Sequence, residues 1–222
     1  MTRPELAAWD ARFAGDDYVF GTEPNAFLTR AAPRIPAGGR VLVVADGEGR
    51  NGVWLASQGM AVHAVEGSPA AIAKSVRLAA QRRVPVAASV ADLVPGAIVH
   101  ERVDLLDWTW PVEQYDAVVA IFIQFARPGE RESLFAGMSR ALRPGGVLLL
   151  EGYHQRQLQY GTGGPRAIDQ LYDTELLGAS FPSLRVESIA EYDGVIDEGS
   201  GHRGTSALID LVASRSAGGP PD

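Results

Sequence analysis

Val41-Leu42-Val43-Val44-Ala45-Asp46-Gly47-Glu48-Gly49-Arg50-Asn51-Gly52 decides the fold. Its first half is an unbroken apolar, β-branched run, which suits a strand buried on both faces. Its second half spaces glycines as G-x-G-x-x-G, and the stretch Val53 to Gln58 then reads as a helix stopped by Gly59. Glycines there let a ligand approach the backbone, and a helix start offers it free N–H donors.

The strand–helix unit recurs on either side of this loop. Ala61 to Val65 is a predicted strand ending at Glu66, and Ser68-Pro69 places a cap and an N1 proline ahead of a helix running to about Arg83. Val84 to Gly96 follows no clean period and is interrupted by Pro85 and Pro95. Val99 to Val103 reads as a strand feeding Asp104, Ala117 to Ile123 as the clearest buried strand, and Pro128 to Leu142 as an amphipathic helix. Arg143-Pro144-Gly145-Gly146 turns into the strand Val147 to Leu150. Such alternation implies parallel pairing with right-handed crossovers. The end differs: Leu184 to Glu191 and Ser206 to Val212 are strands separated only by the turn-rich stretch Asp193 to Thr205, which predicts antiparallel pairing. The first forty residues are irregular, with Trp9, Phe13, Tyr18, Phe20 and Phe27 as apolar anchors and Gly15, Gly21, Pro24, Pro33 and Pro36 as breakers.

Composition narrows the classes. The chain has 222 residues, 46% hydrophobic and 21% charged, which fits one globular domain and excludes a disordered chain. A net charge of −7 makes nucleic acid and anionic lipid poor default partners, and Arg82-Arg83 is the one tight basic pair. Lys74 is the sole lysine, read as compositional bias rather than chemistry. Without cysteine there is no disulfide, thiol nucleophile or cysteine zinc site, and no H-E-x-x-H pattern marks a metal site. Residues 1–13 lack the apolar core of a signal peptide, and the longest apolar run, Ala117 to Ile123, is far short of the ~20 residues that cross a bilayer. A cytoplasmic protein, monomeric or homodimeric, is expected.

Two cofactors fit the glycine loop. With Glu66 about twenty residues past Gly47 to accept from a ribose diol, the spacing is a nicotinamide-dinucleotide fingerprint. Asp46 and Glu48, however, are poor company for a pyrophosphate and less costly for a ligand carrying a sulfonium and an ammonium group. No tyrosine is followed by lysine four residues on, as a short-chain dehydrogenase would want.

At this point Val41 to Asn51 resembles the first motif of class I S-adenosylmethionine-dependent methyltransferases. Asp104-Leu105-Leu106-Asp107-Trp108 followed by Tyr115-Asp116-Ala117-Val118-Val119 resembles that family's third and fourth strands, and Leu142-Arg143-Pro144-Gly145-Gly146 its glycine turn. Trp9-Asp10-Ala11-Arg12-Phe13, Tyr18, Gly21, Pro24-Asn25, Gly161 to Pro165, and Glu198-Gly199 with His202 and Gly204 resemble the tellurite-resistance and thiopurine methyltransferase group. The resemblance implies an α/β, Rossmann-like, doubly wound seven-stranded sheet, mostly parallel with an antiparallel C-terminal pair. Within one domain it implies an N-terminal lid (1–38), a cofactor-binding core (39–150), a substrate-side region with the final strands (151–215) and a frayed tail (216–222).

By the same resemblance, Ala45, Asp46, Gly47 and Gly49 lie against the methionine part of S-adenosylmethionine, and Asn51 caps the helix. Glu66, with Gly67 and Ser68, takes the ribose. Asp104 accepts from the adenine amino group with Leu105 packing beside it, and Asp92 is its rival. Ile121 to Gln124 pass under the transferable methyl. Arg12 pairs with the methionine carboxylate, and Tyr18 and Trp9 fold over the site, Trp9 toward the substrate. Methyl transfer is an in-line displacement that needs a base only if the acceptor enters protonated. Tyr153, His154 and His202 are the candidates, Tyr153 and His202 also for substrate contact, while His63 is read as structural. The family usually has an acid where Val43 stands and a glycine where Ala45 stands. The readings left open are methyl transfer to a small molecule, an NAD-dependent oxidoreductase, and a non-catalytic ligand-binding member of the fold.

Overall fold

The computed structural model describes residues 3–218. Seven strands form one sheet: β1 (Arg40–Val44), β2 (Ala61–Glu66), β3 (Ile98–Arg102), β4 (Tyr115–Ile121), β5 (Leu142–Tyr153), β6 (Arg185–Glu198) and β7 (His202–Ser214). They lie in the order β3-β2-β1-β4-β5-β7-β6. The pairs up to β5 are parallel, and β7 is antiparallel to both β5 and β6. This is the expected doubly wound sheet with its reversed C-terminal pair. Six helices accompany it: α1 (Pro4–Phe13), α2 (Ala26–Ala31), α3 (Arg50–Ser57), α4 (Pro69–Gln81), α5 (Pro128–Ala141) and α6 (Thr174–Ser180). None is long and apolar enough to cross a membrane.

The β1 run is buried on both faces, as its composition requires. Leu42 and Val44 join the cluster on the α5 side, while Val41 and Val43 join the cluster on the α2–α3 side. Because β1 pairs with β2 on one side and β4 on the other, strand order reverses here, and the crevice at the carboxyl ends of the strands is where a ligand would sit.

Several boundaries differ from the sequence expectations. Within the first forty residues two short helices form, Pro4 starting α1 and Asn25 capping α2 with its side chain accepting from Leu28 N–H, while residues 14–25 between them are irregular as expected. The breaker residues limit these helices to short ones without preventing them. Helix α3 begins at Arg50 rather than Val53, so the end of the glycine motif is its first turn. Strands β6 and β7 run through the stretch read as turn-rich, pairing from Arg185↔Ser214 to Glu198↔His202. Polar residues there occupy an edge strand, which needs no apolar alternation. The expected tail, 216–222, lies beyond the described residues from 219 onward.

The sole lysine is no incidental residue. Lys74, on α4, is 3% exposed and donates to Glu48 Oε1 at 2.7 Å and to the Asp17 carbonyl at 2.6 Å. Glu48 in turn accepts from Phe20 N–H at 3.2 Å. One buried ion pair thus ties the N-terminal segment, the glycine loop and α4 together. His63 is buried on β2 between the Tyr115 hydroxyl (2.6 Å) and Glu101 (2.9 Å).

Candidate active site

A cavity of about 660 Å³ opens at the carboxyl ends of β1, β2 and β4, within the size range of small-molecule sites. Helix α1 closes one side, held by Arg3, whose Nε donates to Asp104 at 2.8 Å, and by Asp10, which accepts from Ser68 Oγ at 2.6 Å and Ala70 N–H at 2.9 Å. Leu6 packs against Gly67 so closely that a Cβ there would meet it at 2.5 Å.

The glycine loop forms the cavity's middle. A Cβ on Gly47, which has φ +58°, would meet only Phe13, at 3.9 Å, so the missing side chain leaves open space for a ligand. Gly49 serves a different purpose: it faces away from the cavity, and a Cβ there would lie 2.0 Å from Ser75 Oγ on α4. Asn51 does not cap α3. Its side chain lies inside the first turn and accepts from Asn25 N–H, while Asp46 Oδ1 accepts from Gly52 N–H at 3.0 Å and takes the capping role. Ala45 sits at φ 50°, a conformation that favours glycine.

Glu66 bridges the two loops, accepting from Gly47 N–H at 2.9 Å and from Gly67 and Ser68 N–H, both at 2.8 Å. Burial raises its carboxyl above the usual range against these amides. Burial pushes Asp46 up to about 8, with Gly52 N–H opposing and the neighbouring Glu66 adding to the rise. Asp46 Oδ2 is buried without a partner. Gly47, Gly49 and Gly52 therefore spend their N–H groups inside the loops, on Glu66, on the Asp46 carbonyl and on the Asp46 carboxyl.

Ala45, Asp46, Gly47, Asn51, Glu66 and Gly67 all line the cavity, as do Asp104, Leu105, Ile121, Trp9 and His202. Asp92 lies in a turn away from it, bonded to Ser89. Other expected residues lie elsewhere. Arg12 is exposed and lies against Trp9 and Phe20, its guanidinium 5.0 and 5.1 Å from their rings. The Tyr18 hydroxyl donates to the Lys74 carbonyl, and Ser68 caps α4. Gln124 clamps β5 through both the N–H and the carbonyl of Tyr153. His154 is turned toward Glu191, 3.4 Å away. The Tyr153 ring is buried behind Phe122 and His202, with its hydroxyl unpartnered.

Arg50 is the residue that sequence reasoning passed over. It lines the cavity on the first turn of α3, and its side chain is only 7% exposed. One nitrogen, Nη2, lies 2.8 Å from Glu198 on β6, and Nη1 is buried without a partner. Its neighbours Phe20, Phe122 and His202 form an aromatic corner, with ring centroids 4.4 Å (Phe20–His202) and 4.5 Å (Phe122–His202) apart. Phe122 holds φ 55°, a strained conformation for a bulky residue of the kind that clusters at functional sites. The only sequence sign of Arg50 was its place inside the glycine motif.

Residues 41–146 match a family model described as a methyltransferase domain. A curated relative, Hemagglutinin 1 of Eikenella corrodens, is 32% identical over 121 residues, covering 54% of this chain. The match spans 36% of that relative's length. Among solved structures, one from work on the conversion of a disulfide bond into a thioacetal group during echinomycin biosynthesis superposes with TM-score 0.75 at 21% identity, over 99% of this chain and 93% of that one. TehB from Haemophilus influenzae superposes with TM-score 0.65 at 18% identity, over 86% and 62%. The N-methyltransferase NodS from Bradyrhizobium japonicum WM9, solved with S-adenosyl-l-homocysteine, gives TM-score 0.66 at 13% identity, over 96% and 99%.

Proposed function

We propose, from the match of residues 41–146 to a family model described as a methyltransferase domain, that the chain moves the methyl group of S-adenosylmethionine onto a small-molecule acceptor. The loop amides carry the reading. A pyrophosphate needs the N–H groups of the glycine loop free, yet Gly47 and Gly52 already donate theirs to Glu66 and Asp46. With those amides already taken up inside the loops, the reading favours the sulfonium cofactor over a dinucleotide.

When bound, S-adenosylmethionine supplies an electrophilic methyl carbon with a good leaving group. The chain's part is to bind, align and exclude water. Glu66 keeps lone pairs for the ribose hydroxyls beyond its three amide bonds. Asp104, steadied by Arg3 and by Leu106 N–H, offers an acceptor edge to the adenine amino group, with Leu105 beside it. The open face of Gly47 receives the methionine chain. The unpartnered Nη1 of Arg50, rather than Arg12, is the donor for its carboxylate. Trp9, Phe13, Phe20 and Phe122 exclude water around the reacting centre, and His202 is the base for an acceptor that enters protonated.

The rival of a ligand-binding protein without transfer draws on Val43, which packs in the core and offers no polar atom to the methionine amine. One experiment separates the readings. The protein is incubated with methyl-labelled S-adenosylmethionine and a panel of thiols, amines, hydroxyl compounds and oxyanions, with NADH binding measured in parallel. Label in an acceptor is the expected result. Binding of NADH in preference to S-adenosylhomocysteine would overturn the proposal, and cofactor binding with no label in any acceptor would favour the rival.

A further inference from the structure

Glu198 stands at the end of β6 and His202 at the start of β7, on either side of the hairpin that caps the aromatic corner of the cavity. Glu198 is held from two directions: Oε1 accepts from Asn25 Nδ2 at 3.2 Å, and Oε2 lies 2.8 Å from Arg50. His202 Nδ1 is buried 3.6 Å from the same Oε2 and has no hydrogen bond of its own. A buried imidazole nitrogen left without a partner is a costly arrangement, and a small closure onto the neighbouring carboxylate gives it one good hydrogen bond. Polar contacts in active sites are often long before ligand binds and tighten on it.

From this geometry we propose that Glu198 is a positioning residue for methyl transfer: it fixes the proton of His202 on Nδ1 and so presents Nε2 to the cavity as a proton acceptor. This rests on the methyltransferase reading above. The step balances: the acceptor's X–H bond gives its proton to Nε2, its electron pair forms the X–CH₃ bond, and the sulfonium's C–S bond breaks to leave a neutral thioether. A free imidazole in water would divide between tautomers, so a carboxylate partner on one nitrogen decides which is available.

The charges around the pair support the assignment. Burial alone would push the Glu198 carboxyl up, but His202 and the Arg50 guanidinium hold it down to about 2, so it stays ionised. Burial pushes the His202 imidazolium below its ordinary value; Glu198 opposes this, and Arg50 and Arg12 add to it. His202 is therefore neutral near pH 7 and free to take a proton. The remaining groups packed on it are the rings of Phe20 and Phe122 and the buried Tyr153 phenol. Arg50 accordingly keeps Glu198 charged through Nη2, while its Nη1 stays buried and without a partner.

The test is nitrogen-resolved NMR of the imidazole signals, with and without S-adenosylhomocysteine. In the wild-type protein His202 is expected as a single tautomer protonated on Nδ1. In Glu198→Gln the tautomers mix, and the midpoint of His202 titration falls by about one pH unit or more, a tenfold loss of basicity, because an opposite charge has gone. If Glu198→Gln does not fold, Glu198→Gln with Arg50→Met leaves no unpaired buried charge and is expected to show the same mixing. An unchanged tautomer in the variant that folds, or an Nε2-protonated wild type, overturns the proposal. Calorimetry with S-adenosylhomocysteine separates the two layers: failure of the wild type to bind it removes the methyltransferase reading, while the tautomer result decides the role of Glu198 independently.

Discussion

Replacing Lys74 with methionine should remove a large part of the stability of the N-terminal half. The side chains of Lys74 and Glu48 are 3% and 2% exposed, and their 2.7 Å contact lies where water cannot take over either charge. Methionine fills nearly the same volume, so little of the loss comes from a cavity. What remains is a buried carboxylate supported only by Phe20 N–H, and breaking a buried pair in this way costs about 3–5 kcal/mol. For a domain of this size that is a fall of roughly 6–20 °C in Tm. Urea unfolding of wild type, Lys74→Met, Glu48→Gln and the double variant gives the coupling directly. The double variant, with no unpaired charge, is expected to recover most of the loss. Loss of the Lys74 contact to the Asp17 carbonyl also frees the segment carrying Phe20, so affinity for S-adenosylhomocysteine should weaken in the single variant. A loss below about 1 kcal/mol for Lys74→Met, typical of a surface pair, would refute the reasoning.

Two further outcomes follow from the same loop. Ala45→Gly relieves an alanine held at φ 50° and should stabilise the protein by about 1 kcal/mol, read as a Tm rise of roughly 2–4 °C; a lower Tm would contradict it. Asp46 titrates near 8 in the folded protein against 3.8 as its ordinary value, so between these limits the native state holds a proton that the unfolded state has released, and stability falls as pH rises. Because the histidine contributions are common to both proteins and cancel in the comparison, Asp46→Asn should take about 1 kcal/mol per pH unit off the decline between about pH 6.5 and 8, measured by denaturant unfolding. An identical slope in the variant would sink this account of Asp46.

The parts of the fold legible in the sequence were those where one physical signal acts alone. The β1 run and the glycines after it, the Ser68-Pro69 helix start and the apolar run of β4 each announced their element, and together they located the crevice. Signals that depend on tertiary partners were silent. Lys74 looked like an accident of composition because its two acceptors come from residues 48 and 17. Arg50 looked like filler in a glycine motif because Glu198 is far away in the chain and meets it only through the β6–β7 hairpin. Arg12 suited a carboxylate by type, yet it lies against the Trp9 and Phe20 rings and does not line the cavity. Gln124 and His154 lie just past the ends of β4 and β5, where no strand period fixes a side chain's direction, and both turn from the cavity toward backbone or surface partners.

The central claim is that Glu66 and the loop it braces grip a sulfonium nucleoside, and calorimetric titration of S-adenosylhomocysteine into wild type and Glu66→Gln tests it most directly. Glutamine keeps the size of the side chain and one accepting oxygen but loses the charge and half of the acceptor capacity. Loss of a charged acceptor for the ribose hydroxyls is worth about 1.5–3 kcal/mol, so affinity should fall roughly 10- to 100-fold while NADH binds neither protein. Equal affinity of the two proteins for S-adenosylhomocysteine would contradict the account.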